Sequence, residues 1–214
     1  MTTPRQVQEG FAARLRADTR PQHQRAESTP YLDALMRGEI DRLGYAAMVA
    51  QHYFAYEVLE EAGRIMRDDP VAGEFAAPEL ERVPALVDDL TALLGHGWAD
   101  SIAPNAATTT YCDRMREVCF NWPGGFVAHH YTRYLGDLSG GQLVRRGVEE
   151  RLGLDPRTGT GFYVFDAIGD PAQFKADYRA KLDAAPWSAD EQSAITREAA
   201  LAYDLNTEVL LQLA

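Results

Sequence analysis

Apolar residues recur along this chain at helical spacing, and it reads as helix after helix. Val7, Phe11 and Leu15 open an amphipathic run that extends to about Glu27. Pro21 lies inside it and removes one backbone donor, which predicts a kink or restart there. Ser28 or Thr29 ahead of Pro30 is an N-cap with proline at the first helical position, and Gly38 closes that short helix. Asp41 opens a long run with Leu43, Met48, Tyr53, Tyr56 and Leu59, ended by Asp68-Asp69-Pro70. Leu86, Leu90, Leu93 and Leu94 mark another, closed by Gly95. A further helix covers 110–121 and stops near Trp122-Pro123. Residues 154–170 are rich in turn formers around FYVF, which is too short to imply a sheet. Asp170-Pro171 starts a helix with Phe174, Tyr178 and Leu182. Ser188-x-x-Glu191 is a capping box for a last helix striped by Ile195, Ala199, Ala202, Asn206 and Val209. The pattern predicts one all-α domain over 1–214, with about eight helices in an irregular arrangement.

One helix breaks its own rules. Over 126–152 the stripe Val127, Tyr131, Tyr134, Leu135, Leu138 keeps the 3.6-residue period, yet Gly136, Gly140 and Gly141 interrupt it. Each glycine in a helix interior costs about 1 kcal/mol relative to alanine. Close approach of another surface, or a bend, would justify them. Gly136-x-x-x-Gly140 by itself fits helix-on-helix packing. It does not account for Asp137 or for the third glycine. A flat ligand lying across the helix explains the close approach equally well.

Composition narrows the field. The 214 residues are 46% hydrophobic and 25% charged, as in ordinary globular proteins, and the net charge of −11 argues against nucleic acid and anionic membranes as partners. No run of 18 apolar residues is present, the first residues lack the apolar core of a signal peptide, and the chain ends at LLQLA without a membrane tail. A soluble cytoplasmic protein is expected. Cys112 and Cys119 stand two helical turns apart, too far for a disulfide, and read as buried free thiols. LSGGQ at 138–142 is also the signature of ABC transporter ATPases. Those enzymes need a P-loop lysine after glycine, and the only lysines, Lys175 and Lys181, follow Phe174 and Ala180.

Five histidines remain, and an isolated histidine is more often satisfied or solvated than a ligand. His23 has Glu27 one turn later on the same face, able to orient a ligating imidazole through its other nitrogen. His129 and His130, two turns before the glycines, are within reach of the same cleft.

At this point the chain resembles the heme oxygenases. The match is carried by AHHYTRYLGDLSGGQ at 128–142, His23-x-x-x-Glu27, YFAYEVLEE at 53–61, the segments 78–90 and 162–165, and Phe174-Lys175-x-x-Tyr178-Arg179. The resemblance implies heme b, both substrate and cofactor, sandwiched between a proximal N-terminal helix and the glycine-broken distal helix. His23 would be the proximal iron ligand, oriented by Glu27. Gly136 and Gly140 would let the distal backbone lie against the porphyrin and flex. Asp137 would hold waters that protonate iron-bound oxygen, whose terminal atom attacks a meso carbon. Arg133 and Tyr56 would extend that water network. Arg16, Lys175, Arg179 and Tyr131 would meet the propionates. The implied products are biliverdin, CO and ferrous iron, and the implied partners are O2 and an electron donor, a ferredoxin with its reductase or a flavoprotein reductase. No membrane anchor is expected, and monomer is the default.

This chain departs from the family in places. Arg16 stands where lysine is common, and His130 replaces a small residue. Tyr203 stands near a distal-side position that is often phenylalanine. Propionate anchoring sets heme rotation, so α cleavage is the expectation that these changes bear on. Two other readings use the same architecture: a heme carrier or sensor without turnover, and a thiaminase-like enzyme with a catalytic cysteine. Asp137 speaks against the first, since a carrier needs no distal proton donor. Cys112 and Cys119, with no activating His or Lys beside them, speak against the second.

Overall fold

The computed structural model describes residues 10–213, so Val7 lies outside the described residues. Ten α-helices follow one another: α1 (Phe11–Asp18), α2 (Arg20–Glu27), α3 (Pro30–Arg37), α4 (Arg42–Met66), α5 (Val83–Leu94), α6 (Ala106–Val118), α7 (Pro123–His130), α8 (Gly140–Leu152), α9 (Pro171–Ala184) and α10 (Ala189–Leu211). The chain is all-α, with no strand among the described residues; of FYVF, Phe162 and Tyr163 lie in a 3-10 turn, and Val164 and Phe165 connect it to the next one. No helix among them is long and apolar enough to cross a membrane.

Two of the eight expected helices are each split, which gives ten. The first restarts at Thr19, where Pro21 enters the opening turn of α2 and the Thr19 hydroxyl turns back to the Leu15 carbonyl at 2.8 Å. The second is the glycine-broken helix. Beyond α7 the backbone widens into a π-helical turn over Tyr131–Leu135, and α8 begins only at Gly140. The other termini follow the cap chemistry. Asp41 Oδ1 accepts the Gly44 amide at 2.8 Å to open α4. Gly38 adopts φ 77° after α3, and the Glu39 amide returns to the Ala34 carbonyl at 2.9 Å in a Schellman closure. Thr29 precedes α3 as expected, but its hydroxyl is buried without a protein partner and makes no cap bond. α6 starts earlier than its apolar stripe predicts, because Asn105 Oδ1 caps the Thr108 amide at 2.7 Å. The capping box of α10 is half formed. Ser188 accepts the Glu191 amide, while the Glu191 carboxylate accepts the Trp122 indole N–H at 2.6 Å and so ties α10 to the start of α7.

The core is built on α4 and α10. α4 packs against α5, α6 and α7, and α10 against α2, α6 and α7. Leu15, Tyr45, Tyr56, Leu59, Phe126 and Ile195 are fully enclosed where these helices meet. Cys112 and Cys119 are buried free thiols, and burial pushes the Cys112 thiol up to about 11. This packing holds α2 across from the broken helix and leaves a gap between them.

A cavity between α2 and the glycine-broken helix

That gap is a cavity of about 440 Å³. α2 supplies His23 and Glu27, α4 supplies Met48 and His52, and the opposite wall is Arg133, Gly136, Asp137 and Gly140. The His23 side chain keeps 39% of its surface accessible, and its Nδ1 lies 3.4 Å from Glu27 Oε2. That contact orients the ring and leaves Nε2 for a ligand. Tyr203 packs edge-on to the His23 ring at 5.5 Å. It lines the cavity from α10, which packs against both α2 and the distal segment over 123–135.

The glycines divide into two kinds. A methyl group at Gly136 would meet no protein atom within 4 Å, and at Gly140 only Glu27 Oε1 at 3.6 Å. Among the described residues no backbone of a second helix comes within 4 Å of a Cβ at either position, so close helix packing does not account for this pair, and their bare backbone faces the cavity. Gly141 is different. A Cβ there would stand 3.3 Å from the Tyr163 ring, so this glycine lets the segment pack closely on Tyr163. Gln142 completes that bolt, its Nε2 donating to the Tyr163 carbonyl at 2.9 Å and the Asp137 carbonyl at 3.2 Å.

Asp137 is the titratable group at the centre. The Tyr56 hydroxyl donates to its carboxylate. Burial pushes the carboxyl up to about 6, against the opposing pull of Arg133 and of the Tyr56 hydrogen bond. It is thus largely ionised at neutral pH yet readily protonated. The Arg133 guanidinium lies over the Tyr56 ring, 4.8 Å from its centroid, and Nη1 donates to Asn206 Oδ1. Its Nε and Nη2 are buried with no protein partner. Buried donors of this kind ordinarily find ordered water.

The remaining expected residues sit beside the cavity and do not line it. Burial raises the Tyr131 phenol while the charges of Arg179 and Arg16 oppose it, which puts both cations near that side chain. Lys175 Nζ donates to the Leu138 carbonyl at 3.0 Å and Ser139 Oγ at 3.1 Å, so it fastens the helix break. His129 and His130 do not reach the cavity. His129 Nε2 meets Glu198 Oε1 at 3.0 Å and His130 Nδ1 meets the Tyr178 hydroxyl at 2.9 Å, both in the core. Sequence reasoning missed His52, although its spacing of four from Tyr56 on the α4 stripe puts the two on one face. It also missed the π turn, which no residue pattern announces.

An accessible histidine oriented by a carboxylate, facing a bare glycine backbone and an acid, is the geometry of a cleft for a flat, iron-bearing ring. Comparison with known proteins agrees. Residues 9–212 match the family model described as heme oxygenase. Heme oxygenase 2 of Synechocystis sp. is 37% identical over 203 residues, covering 94% of this chain and 81% of that protein. The heme oxygenase of Porphyra purpurea is 35% identical, covering 95% and 86%. The crystal structure of heme oxygenase-1 from Synechocystis in complex with heme has a TM-score of 0.90 at 33% identity, covering 96% of this chain and 92% of that one. Heme oxygenase from Leptospira interrogans also gives 0.90 at 33% identity, covering 95% and 100%. Fold, cavity and sequence lead to one assignment: this chain belongs to the heme oxygenase family.

Proposed function

We propose that the protein is a heme oxygenase in activity as well as in family, cleaving heme b at a meso carbon, the α edge, to biliverdin, CO and ferrous iron. The observation that carries this is Asp137, an acid with a pKa of about 6 set beside Gly136 and Gly140 and across the cavity from His23. A carrier or sensor needs the histidine and the glycines but not the acid.

The residues present fit the substrate. The cavity wall that a Cβ at Gly136 would narrow is open, and Nε and Nη2 of Arg133 are unpartnered. His23, oriented by Glu27, would hold the iron. Arg16, Arg179, Lys175 and Tyr131 would hold the propionates and so fix which edge is presented. Heme supplies the iron that binds and activates O2 and the carbon that is oxidised. The protein supplies protons and exclusion. Asp137 holds water and, with its raised pKa, exchanges a proton with it near neutral pH. Tyr56 and Asn206 fix the Asp137 carboxylate and the Arg133 guanidinium, and Arg133 offers Nε and Nη2 to the same water. The bare backbone at Gly136 and Gly140 would let the distal wall lie close to the ring and so limit which edge is reached. Electrons come from a ferredoxin with its reductase or from a flavoprotein reductase. The chain works as a cytoplasmic monomer of one domain, in iron acquisition, heme turnover or bilin supply.

The test is direct. Hemin is added to the protein, then ascorbate in air, and the spectrum is followed. Loss of the Soret band with growth of biliverdin absorbance is the expected course. A lasting Soret band without biliverdin refutes the enzyme and leaves the carrier.

A further inference from the structure

His52 lines the cavity wall, and the account above gives it no task. It stands one turn before Tyr56 on α4 and faces the same cavity as Arg133 and Asp137, themselves one turn apart on the distal segment. One face of its ring rests on Phe162, with centroids 5.3 Å apart. Among the described residues, neither of its ring nitrogens has a hydrogen-bond partner in the protein. Arg133 brings two more unpartnered donors to the same space.

The three groups differ in what they can exchange. A guanidinium only donates, a carboxylate only accepts, and a neutral imidazole does both at once. We propose that His52 is a positioning residue of the distal water network, accepting from water held by Arg133 and donating towards water held by Asp137. In that place it gives the chain a direction, from cation to carboxylate, that neither end sets alone. The imidazole has to be neutral for this, and burial with the Arg133 charge nearby holds it well below its ordinary value. The other charged or titratable groups around this space are Tyr56 on the same helix, Tyr163 on the turn, and His23, Glu27 and Tyr203 across the cavity.

The inference rests on the proposed function for its meaning but is tested without turnover, so each can fail alone. The carboxyl titration of Asp137 is followed by carbon-13 NMR in the heme-free full chain, with Asp137→Asn identifying the resonance. A donor reaching Asp137 through water favours the ionised form. In His52→Leu the midpoint therefore rises from its parent value of about 6 by half a unit or more, an increase of about threefold in proton affinity. His52→Gln keeps a donor and an acceptor and returns the midpoint to the parent value. Leucine alone also makes the wall less polar, so rescue by glutamine is the decisive reading. A midpoint unmoved or lowered in His52→Leu, or raised equally in both variants, overturns the proposal. His52→Met replaces the leucine variant if that chain does not fold.

Discussion

Asp137 ought to cost the folded protein stability, and the amount follows from its surroundings. Its carboxyl moves from 3.8 to about 6 on folding, with burial outweighing the attraction of Arg133 and the Tyr56 hydrogen bond. Each unit corresponds to about 1.4 kcal/mol, and water entering the cavity softens the full value, so the ionised carboxylate costs about 2 kcal/mol. Asp137→Asn keeps an oxygen for the Tyr56 hydroxyl and removes the charge. The lost attraction to Arg133 is already contained in the net shift. The folded pKa is raised, so the folded state holds the proton more tightly. Parent and variant are therefore matched below pH 4, where the acid is protonated folded or unfolded. The advantage of the variant grows between pH 4 and 6 and is full above that. Urea unfolding of the heme-free chain, followed by circular dichroism at pH 4 and 7.5, measures it. The expected gain at pH 7.5 is about 2 kcal/mol, or about 4–8 °C in Tm for a chain of this size. Biliverdin formation falls in the same variant. A variant no more stable than the parent at pH 7.5, or one whose gain is the same at both pH values, refutes the reasoning.

Three further outcomes are expected. Gly136→Ala leaves the heme-free protein no less stable than the parent, and more stable by up to about 1 kcal/mol, since position 136 is helical and the new methyl meets no protein atom, while heme affinity falls more than tenfold by Soret titration; equal affinity means that the bare backbone is not in contact with the ligand. Arg179→Ala changes the ratio of biliverdin isomers on chromatography, and an unchanged α product removes this cation from the anchoring set. Glu198→Gln destabilises the chain by about 3 kcal/mol, because it strips Arg114 and His129 of a buried carboxylate. Burial raises that carboxyl, but hydrogen bonds from His129 and Arg114 prevail and hold it at about 2; its stabilisation is present above pH 4.5 and lost as pH falls through 2, which unfolding at pH 2 against pH 6 will show.

Helix positions were legible because caps and breakers act locally. Asp41, Gly38 and Ser188 each do the job that their residue type announces. Pro21 was legible as a kink or restart, and the chain restarts there. The pairing of His23 with Glu27, and the placing of Asp137 opposite, followed from spacing and resemblance together. What failed was what tertiary contacts decide. His129 and His130 carry ligand chemistry, yet Glu198 and Tyr178, 69 and 48 residues away, claim them. Spacing also did not show that Lys175, expected at the propionates, donates to the Leu138 carbonyl and Ser139 Oγ where the helix breaks, or that Tyr203 packs on the His23 ring. Glu191 leaves its capping box for a tryptophan 69 residues away. His52 was overlooked since an isolated histidine on a mostly buried helix gives no pattern to follow.

The split among the glycines bears on how such chains are recognised. Gly141 and Gln142 hold the turn at Tyr163 whether or not any ligand is turned over. Gly136 faces the cavity, and Asp137 turns its carboxylate to the cavity and the Tyr56 hydroxyl. A descendant that abandoned catalysis would still be under pressure to keep Gly141 and Gln142, because the packing at Tyr163 uses them. The short signature thus joins a structural half, slow to decay, to a chemical half, free to drift once activity is lost. Inferring activity from the whole motif overcounts, and positions 136 and 137 are the ones whose loss would mark a silent relative.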